Sequence, residues 1–200
     1  ISNFKVENFK YEYWKKNERL DPKKLKGKTY FFGYWHNKKN FIPNIANSIE
    51  IKKKTNKFNS FVKKIRKNHV AIHIRGGDFL KNIHAEVLDY NYYNKAINYF
   101  NDRIFQPQFY IFTNDIEHSK NILKKIKIKR FYFVRNFKFK DFEEFEIMKN
   151  YQNLIISNST FSWTSSILSK KTKNILAPSK WYKHNENIKL RKIKKMKIIY

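Results

Sequence analysis

The sequence predicts an α/β fold with a parallel, doubly wound sheet. Three observations predict it. From residue 67 onwards, apolar runs of strand length alternate with longer segments whose apolar residues recur at helical spacing. That alternation is the mark of successive βαβ units. Runs such as Val70-Ala71-Ile72 and Leu154-Ile155-Ile156 are uninterrupted, as strands buried on both faces are. Polar residues and glycines follow these runs, where open α/β sheets bind ligands.

Residues 1–66 are less regular and rich in aromatics, among them Tyr11, Tyr13, Trp14, Tyr34 and Trp35. Asp21-Pro22 and Gly27 mark turns there. A short strand is expected over 29–35, and helix over 44–66 with Ile45, Ile49, Phe58, Phe61, Val62 and Ile65 inward. This part reads as a small first domain, and 67–200 as the second.

In the second domain, 69–75 reads as a buried strand. A helix over 89–101 places Tyr92, Tyr93, Ala96, Ile97 and Phe100 on one face. Strand 108–113, helix 116–126 with Ile122, Leu123 and Ile126 inward, and a short strand 130–134 follow. A helix over 141–151 is expected to be capped by Asp141, with Glu143 and Glu144 in its first turn, where the dipole favours carboxylates. Next come strand 153–157, helix 161–169 capped by Ser159 or Thr160, and strand 173–177 closed by Pro178. From Lys189 the chain is strongly basic and reads as a fraying end.

The net charge is +28, from 44 Lys and Arg against 16 Asp and Glu. Two explanations compete. Lys, Asn, Ile, Phe and Tyr are abundant together, the usage of an AT-rich genome, so much of the excess reads as solvated decoration. Alternatively the charge serves a phosphate-bearing ligand, RNA or an anionic membrane surface. Cysteine is absent, which excludes disulfides and thiolate metal sites. No apolar run approaches the roughly 18 residues that span a bilayer. The chain begins at Ile1 rather than Met, which reads as an internal start.

Three strand-end segments carry the chemistry: His73-Ile74-Arg75-Gly76-Gly77-Asp78, Asn114-Asp115, and Ser157 to Ser162. Arg75 is the candidate catalytic residue. Its guanidinium can hold a leaving diphosphate bidentately without titrating. Gly76 and Gly77 would let backbone N–H groups approach phosphate oxygens. Asp78 reads as a helix cap or as the partner that orients Arg75. His73 either touches ligand or braces the motif, and Asp115 either accepts from a ribose or guanine edge or caps a helix. Ser159, Thr160 and Ser162 offer hydroxyls at a helix N-terminus, an anion site or simply a cap. Together these segments imply a sugar-nucleotide-dependent transferase.

No Walker A or Gly-x-Gly-x-x-Gly pattern is present, which argues against NTPase and dinucleotide readings. Neither Asp-x-Asp nor a His or carboxylate cluster with metal spacing occurs, so no metal site is expected. Asn158-Ser159-Thr160 fits an N-glycosylation acceptor but falls on a buried strand-to-helix junction.

These residues resemble the α-1,2-fucosyltransferases, glycosyltransferase family 11. His73 to Leu80 is similar to that family's His-x-Arg-Arg-Gly-Asp-Tyr motif. Gly33-Tyr34-Trp35, His84 with Tyr92-Tyr93-x-x-Ala96, Phe109 to Asp115, Glu146 to Trp163, and Ala177-Pro178-x-x-Trp181-Tyr182 resemble further elements in the same order. The resemblance implies a GT-B fold of two Rossmann-like domains, with 1–66 a remnant of the acceptor-side domain and 67–200 binding a GDP-sugar. It implies an inverting transfer of L-fucose from GDP-fucose to the 2-hydroxyl of a galactose-terminated glycan, without an obligatory metal or other cofactor. Arg75 would stabilise the leaving β-phosphate, and His73 and Asp115 would serve the nucleoside end. Ser159, Thr160, Phe161 and Ser162 would line the donor pocket.

The setting implied is lipopolysaccharide or O-antigen synthesis in a bacterial cytoplasm, with peripheral contact to an anionic inner membrane and no specific nucleic acid. Departures stand at Gly76 for a second Arg, Asn114 for Asp, Asn153 for His and Thr164 for Trp. The family's N-terminal Gly-Gly-Leu-Gly-Asn-Gln segment is missing, so no general base is assigned. Two other readings stay open: a transferase for another GDP-sugar, for which Gly76 leaves room, and a non-enzymatic binder of RNA or anionic membrane.

Overall fold

The computed structural model describes residues 10–13, 29–32, 54–183, 193 and 195–199. Two short strands, β1 (Lys10–Tyr13) and β2 (Thr29–Phe32), pair in parallel. The sequence anticipates β2 but not β1. Gly33-Tyr34-Trp35 and residues 44–53 of the expected helix lie outside the described residues.

The rest is built on a six-stranded, wholly parallel sheet. Its strands are β3 (His69–Ile74), β4 (Gln108–Thr113), β5 (Phe131–Phe133), β6 (Asn153–Ile155), β7 (Asn174–Pro178) and β8 (Met196–Ile199). Their spatial order is β5-β4-β3-β6-β7-β8. Counted from β3, this is the doubly wound order 3-2-1-4-5-6 of nucleotide-binding sheets. The chain starts in the middle, winds outward to β5, then returns to lay β6 on the other side of β3. Connections therefore leave β3 and β6 towards opposite faces and open a crevice at their carboxyl ends.

Side chains distribute to the two faces by the period of two along each strand. Val70, Ile72 and Ile74 of β3 point to one core, with Phe109 and Ile111 of β4. Helices α3 (Tyr90–Asn101) and α4 (Ile116–Leu123) cover that face through Tyr93, Ala96, Ile97, Phe100, Ile122 and Leu123. Ala71, Phe112, Leu154 and Ile156 point the other way. There they meet Ile147, Met148 and Tyr151 of and after α5 (Asp141–Met148), and Trp163 of α6 (Thr160–Leu168). Phe58 of α1 (Asn56–Lys63) joins this second cluster, so α1 packs with the sheet. Each large side chain buried in this way contributes about 1.5–3 kcal/mol.

Two buried tyrosine hydroxyls link helix to sheet. Tyr93 donates its hydroxyl proton to the carbonyl of His73 at 3.1 Å, and Tyr92 donates to that of Ile156 at 2.6 Å. These two bonds tie α3 to the carboxyl ends of β3 and β6, the edge where the strand-end segments emerge.

Two expectations are corrected. Residues 196–199 of the basic end do not fray: as β8 they add to the open edge of β7, with Met196 buried in the second core. An unpaired β7 edge would leave backbone groups without partners beside a core, and residues 196–199 can satisfy them. The cap of α5 is Lys140, not Asp141, which stands at the first helical position. Glu143 closes this end by accepting from the Lys140 N–H at 3.0 Å.

Candidate functional site

Arg75 emerges directly from β3, and Asp78 opens the single-turn helix α2 (Asp78–Lys81). Nη2 of Arg75 donates to both Asp78 carboxylate oxygens, at 2.7 and 2.9 Å. The cap position of α2 is Gly77, so Asp78 pairs with Arg75 rather than capping. Nε of Arg75 is buried and has no hydrogen-bond partner.

The two glycines behave differently from the sequence expectation. Gly76 N–H donates to Oδ1 of Asn114 at 3.0 Å, and Gly77 N–H donates to Oδ2 of Asp115 at 3.1 Å. Both donors expected to face phosphate are thus occupied by the end of the neighbouring strand. The register explains it: Ile74 lies opposite Thr113, so the residues that follow each strand meet. Asn114 also donates to the carbonyl of Gly76 at 3.2 Å. Oδ1 of Asp115 accepts from His118 N–H at 3.0 Å and caps α4. The His118 N–H, with help from that of Gly77, holds the Asp115 carboxyl below its usual range.

His73 is buried at the end of β3, and its Nδ1 lies 2.7 Å from Ser157 Oγ and 3.0 Å from Ser162 Oγ. The Phe161 ring leans on its imidazole, centroids 5.2 Å apart. Burial, with the nearby Arg75 charge adding, lowers its pKa to about 3, so the ring is neutral at physiological pH. Ser159 occupies the cap position of α6 but its side chain makes no capping bond. Phe161, in the first turn of α6, lines a cleft with Arg75, so the positive end of the α6 dipole lies near it, uncapped by the Ser159 hydroxyl.

Arg75, His73 and Phe161 line one cleft of about 110 Å³, together with Phe112, Arg135, Asp141 and Glu144. Arg135 follows β5 and donates to Asp141 at 2.8 Å. It approaches Glu144 Oε1 only to 3.6 Å. Glu144 is 4 % exposed, and Oε1 is buried without a hydrogen-bond partner. Burial raises its pKa to about 7, against the opposing pull of Arg135.

A larger cavity of about 300 Å³ lies elsewhere, lined by Phe61, Tyr110, Tyr132 and Phe139, with His69 from the amino end of β3. It is mainly aromatic and holds none of the strand-end residues, so the chemistry belongs to the smaller cleft. Beside the cleft, Asn158 Nδ2 donates to the carbonyls of Glu86 and Trp181 at 2.6 and 2.8 Å. It clasps two segments that also form the antiparallel bridge Ala85↔Tyr182.

The structure thus gathers His73, Arg75, Phe161 and Ser162 at the crevice, with Ser159 and Thr160 at the α6 terminus above it. Asp115 lies beneath the Gly76-Gly77 loop, with each carboxylate oxygen engaged by a backbone N–H. Asp141 and Glu144 carry no strand-end signature in the sequence, whereas Arg135 stands just after the expected strand 130–134 but is not among the expected site residues. A signal for Glu144 exists in its spacing: with Ile147, Met148 and Tyr151 it falls at i, i+3, i+4, i+7, the inward stripe of α5. Among the described residues no three His, Asp or Glu side chains gather as metal ligands do, and no helix is long and apolar enough to cross a membrane.

The model of the family described as "Glycosyl transferase family 11" matches residues 1–200. The chain belongs to glycosyl transferase family 11. The resemblance carried by the His73–Asp78 and Asn158–Trp163 segments is therefore shown. Two Escherichia coli members of family 11 are similar to it. One, named O-antigen biosynthesis glycosyltransferase WbnK, is 31 % identical over 154 residues, covering 74 % of this chain and 48 % of the relative. The other, named Alpha-1,2-colitosyltransferase, is 30 % identical over 178 residues, covering 81 % of this chain and 59 % of the relative. The chain spans about half the length of these family 11 relatives.

Proposed function

We propose that this chain is the donor-binding part of an inverting glycosyltransferase. It would move L-fucose from GDP-fucose to the 2-hydroxyl of a galactoside in O-antigen or related surface glycan synthesis. One observation carries the reading: Arg75, at the end of β3, and Phe161, in the first turn of α6, line one cleft. Breaking a sugar–phosphate bond leaves charge on a diphosphate. A guanidinium with an unpartnered Nε and a helix dipole would hold that charge without a metal. His73, Phe161 and Ser162 would shape the pocket, Ser159 and Thr160 would meet the phosphates, and Asp115 would hold the loop behind Arg75.

In the proposed GT-B arrangement, residues 67–200 form the donor domain and 1–66 a remnant of the acceptor-side domain. The enzyme would work in a bacterial cytoplasm, its +28 charge favouring contact with the anionic inner membrane. The name of the second relative favours one other reading, a transferase for a different GDP-sugar.

Calorimetry of GDP and GDP-fucose binding tests this, wild type against Arg75→Ala. Micromolar binding that the substitution abolishes supports the donor site. Absence of binding in the wild type refutes it and leaves the polyanion reading. That reading is recognised by affinity for RNA or lipid that falls steeply with salt and ignores Arg75.

A further inference from the structure

We propose that Glu144 reads the nucleobase of the donor, its carboxylate accepting the two adjacent N–H groups of a guanine edge. The inference rests on the donor-site reading above and deepens it. Glu144 lines the same cleft as Arg75, and the two contribute an acceptor, Oε1, and a donor, Nε, that are buried without hydrogen-bond partners. Unsatisfied buried polar atoms are rare, and those of a charged group are the costliest to leave so. A single ligand with an anionic end and an N–H-bearing end would satisfy both.

The remaining lining narrows the chemistry. Phe112 and Phe161 supply apolar ring surfaces, which suit a flat heterocycle. A cation is a poor occupant, because two guanidiniums, Arg75 and Arg135, line the cleft, and Arg135 already pairs with Asp141 and approaches Glu144. Arg135 spends its short contact on Asp141 and leaves Oε1 of Glu144 beyond hydrogen-bond reach. Among the bases, guanine alone sets a ring N–H beside an exocyclic amino group, two donors matching one carboxylate. Adenine sets an acceptor beside its amino group, and uracil flanks one N–H with two acceptors, so a carboxylate would repel both edges. A base that recognises its site through Glu144 is selected before any sugar is.

The test compares GDP, inosine 5′-diphosphate, ADP and UDP by calorimetry on the whole chain, with Glu144→Gln and Arg75→Ala as variants. Inosine 5′-diphosphate lacks only the 2-amino group, so wild-type protein tests the inference without any substitution. Wild type should bind GDP about ten- to a hundredfold more tightly than inosine 5′-diphosphate, ADP or UDP. In Glu144→Gln, GDP should weaken and its advantage over inosine 5′-diphosphate should collapse. GDP binding that needs Arg75 but ignores both the 2-amino group and Glu144→Gln overturns this inference alone. Failure of wild type to bind any nucleoside diphosphate overturns it together with the donor-site reading.

Discussion

Asp78 grips Arg75 through one guanidinium nitrogen, Nη2, with both carboxylate oxygens within 2.9 Å. The grip fixes the plane of the guanidinium and leaves its other nitrogens to a ligand. The pair is partly exposed, with Asp78 66 % accessible, so its direct worth to stability is about 0–1 kcal/mol. Asp78→Asn is therefore expected to leave the melting temperature nearly unchanged while weakening GDP several-fold. Arg75→Lys should lose far more, because an ammonium cannot reproduce the planar fork. Calorimetry beside thermal melts checks both. A large stability loss in Asp78→Asn would show that the pair is structural.

Gly76 stands where the motif resemblance places a second arginine, and a substitution there tests how tightly the loop is packed. A Cβ at Gly76 would meet Asp115 Cβ at 2.8 Å and His118 Cδ2 at 2.9 Å. Installing arginine should therefore destabilise the fold, by about 1–3 kcal/mol as overpacking does, rather than strengthen donor binding. Gly77→Ala should cost at least as much. Its φ is +60°, and its Cβ would meet Asn114 Nδ2 at 2.7 Å. Melting temperatures that fail to drop in either variant would contradict the close loop-to-α4 contact.

The buried ionisable groups set a pH profile with a definite sign. His73 has its pKa lowered from 6.5 to about 3, so the unfolded chain takes up that proton first. Its contribution is present above pH 6.5 and is lost as pH falls towards 3. Glu144 acts oppositely: its pKa is raised from 4.5 to about 7, so its contribution is present below 4.5 and lost as pH rises through 7. Between pH 6.5 and 4.5 the two offset each other. Glu144→Gln removes the offset, and its stability should fall more steeply than wild type as pH drops through that window. Urea melts at half-unit pH steps read the slopes. Parallel profiles for the two proteins would refute the assignment.

Asn158 holds the carbonyls of Glu86 and Trp181 with one amide nitrogen. Asn158→Ala takes the amide donor from the Glu86 carbonyl and leaves the Trp181 carbonyl with only the 3.3 Å bond from Glu86 N–H, and should cost about 1–3 kcal/mol. Hydrogen exchange should then speed up at Glu86 and Lys183, whose N–H groups bridge the two clasped segments. Unchanged exchange there would mean that the bridge stands without Asn158.

Much of this was open to reading in one dimension. The apolar runs at 70–72 and 154–156 announce strands buried on both faces, and the 92, 93, 96, 97, 100 spacing announces the inward face of α3. Arg75 declares itself by standing at a strand end, and Phe161 and Ser162 by opening the helix that follows β6. Periodicity records which side of each element meets solvent, because burial repeats with the element's own geometry.

What that pattern does not record is which elements become neighbours. The return of β6 to the side of β3 brings Ser157 and Ser162 onto His73. The β3–β4 register hands the Gly76 and Gly77 N–H groups to Asn114 and Asp115. The sequence by itself determined the α/β alternation, the strand-end place of Arg75 and the family. Tertiary structure decided that residues 196–199 of the basic end become β8, that the glycine donors are spent within the protein, and that Glu144 is buried in the cleft that Arg75 also lines. The reason is physical: local pattern follows from each segment's own burial, whereas pairing, desolvation and shifted protonation arise only between groups that the chain brings together from far apart.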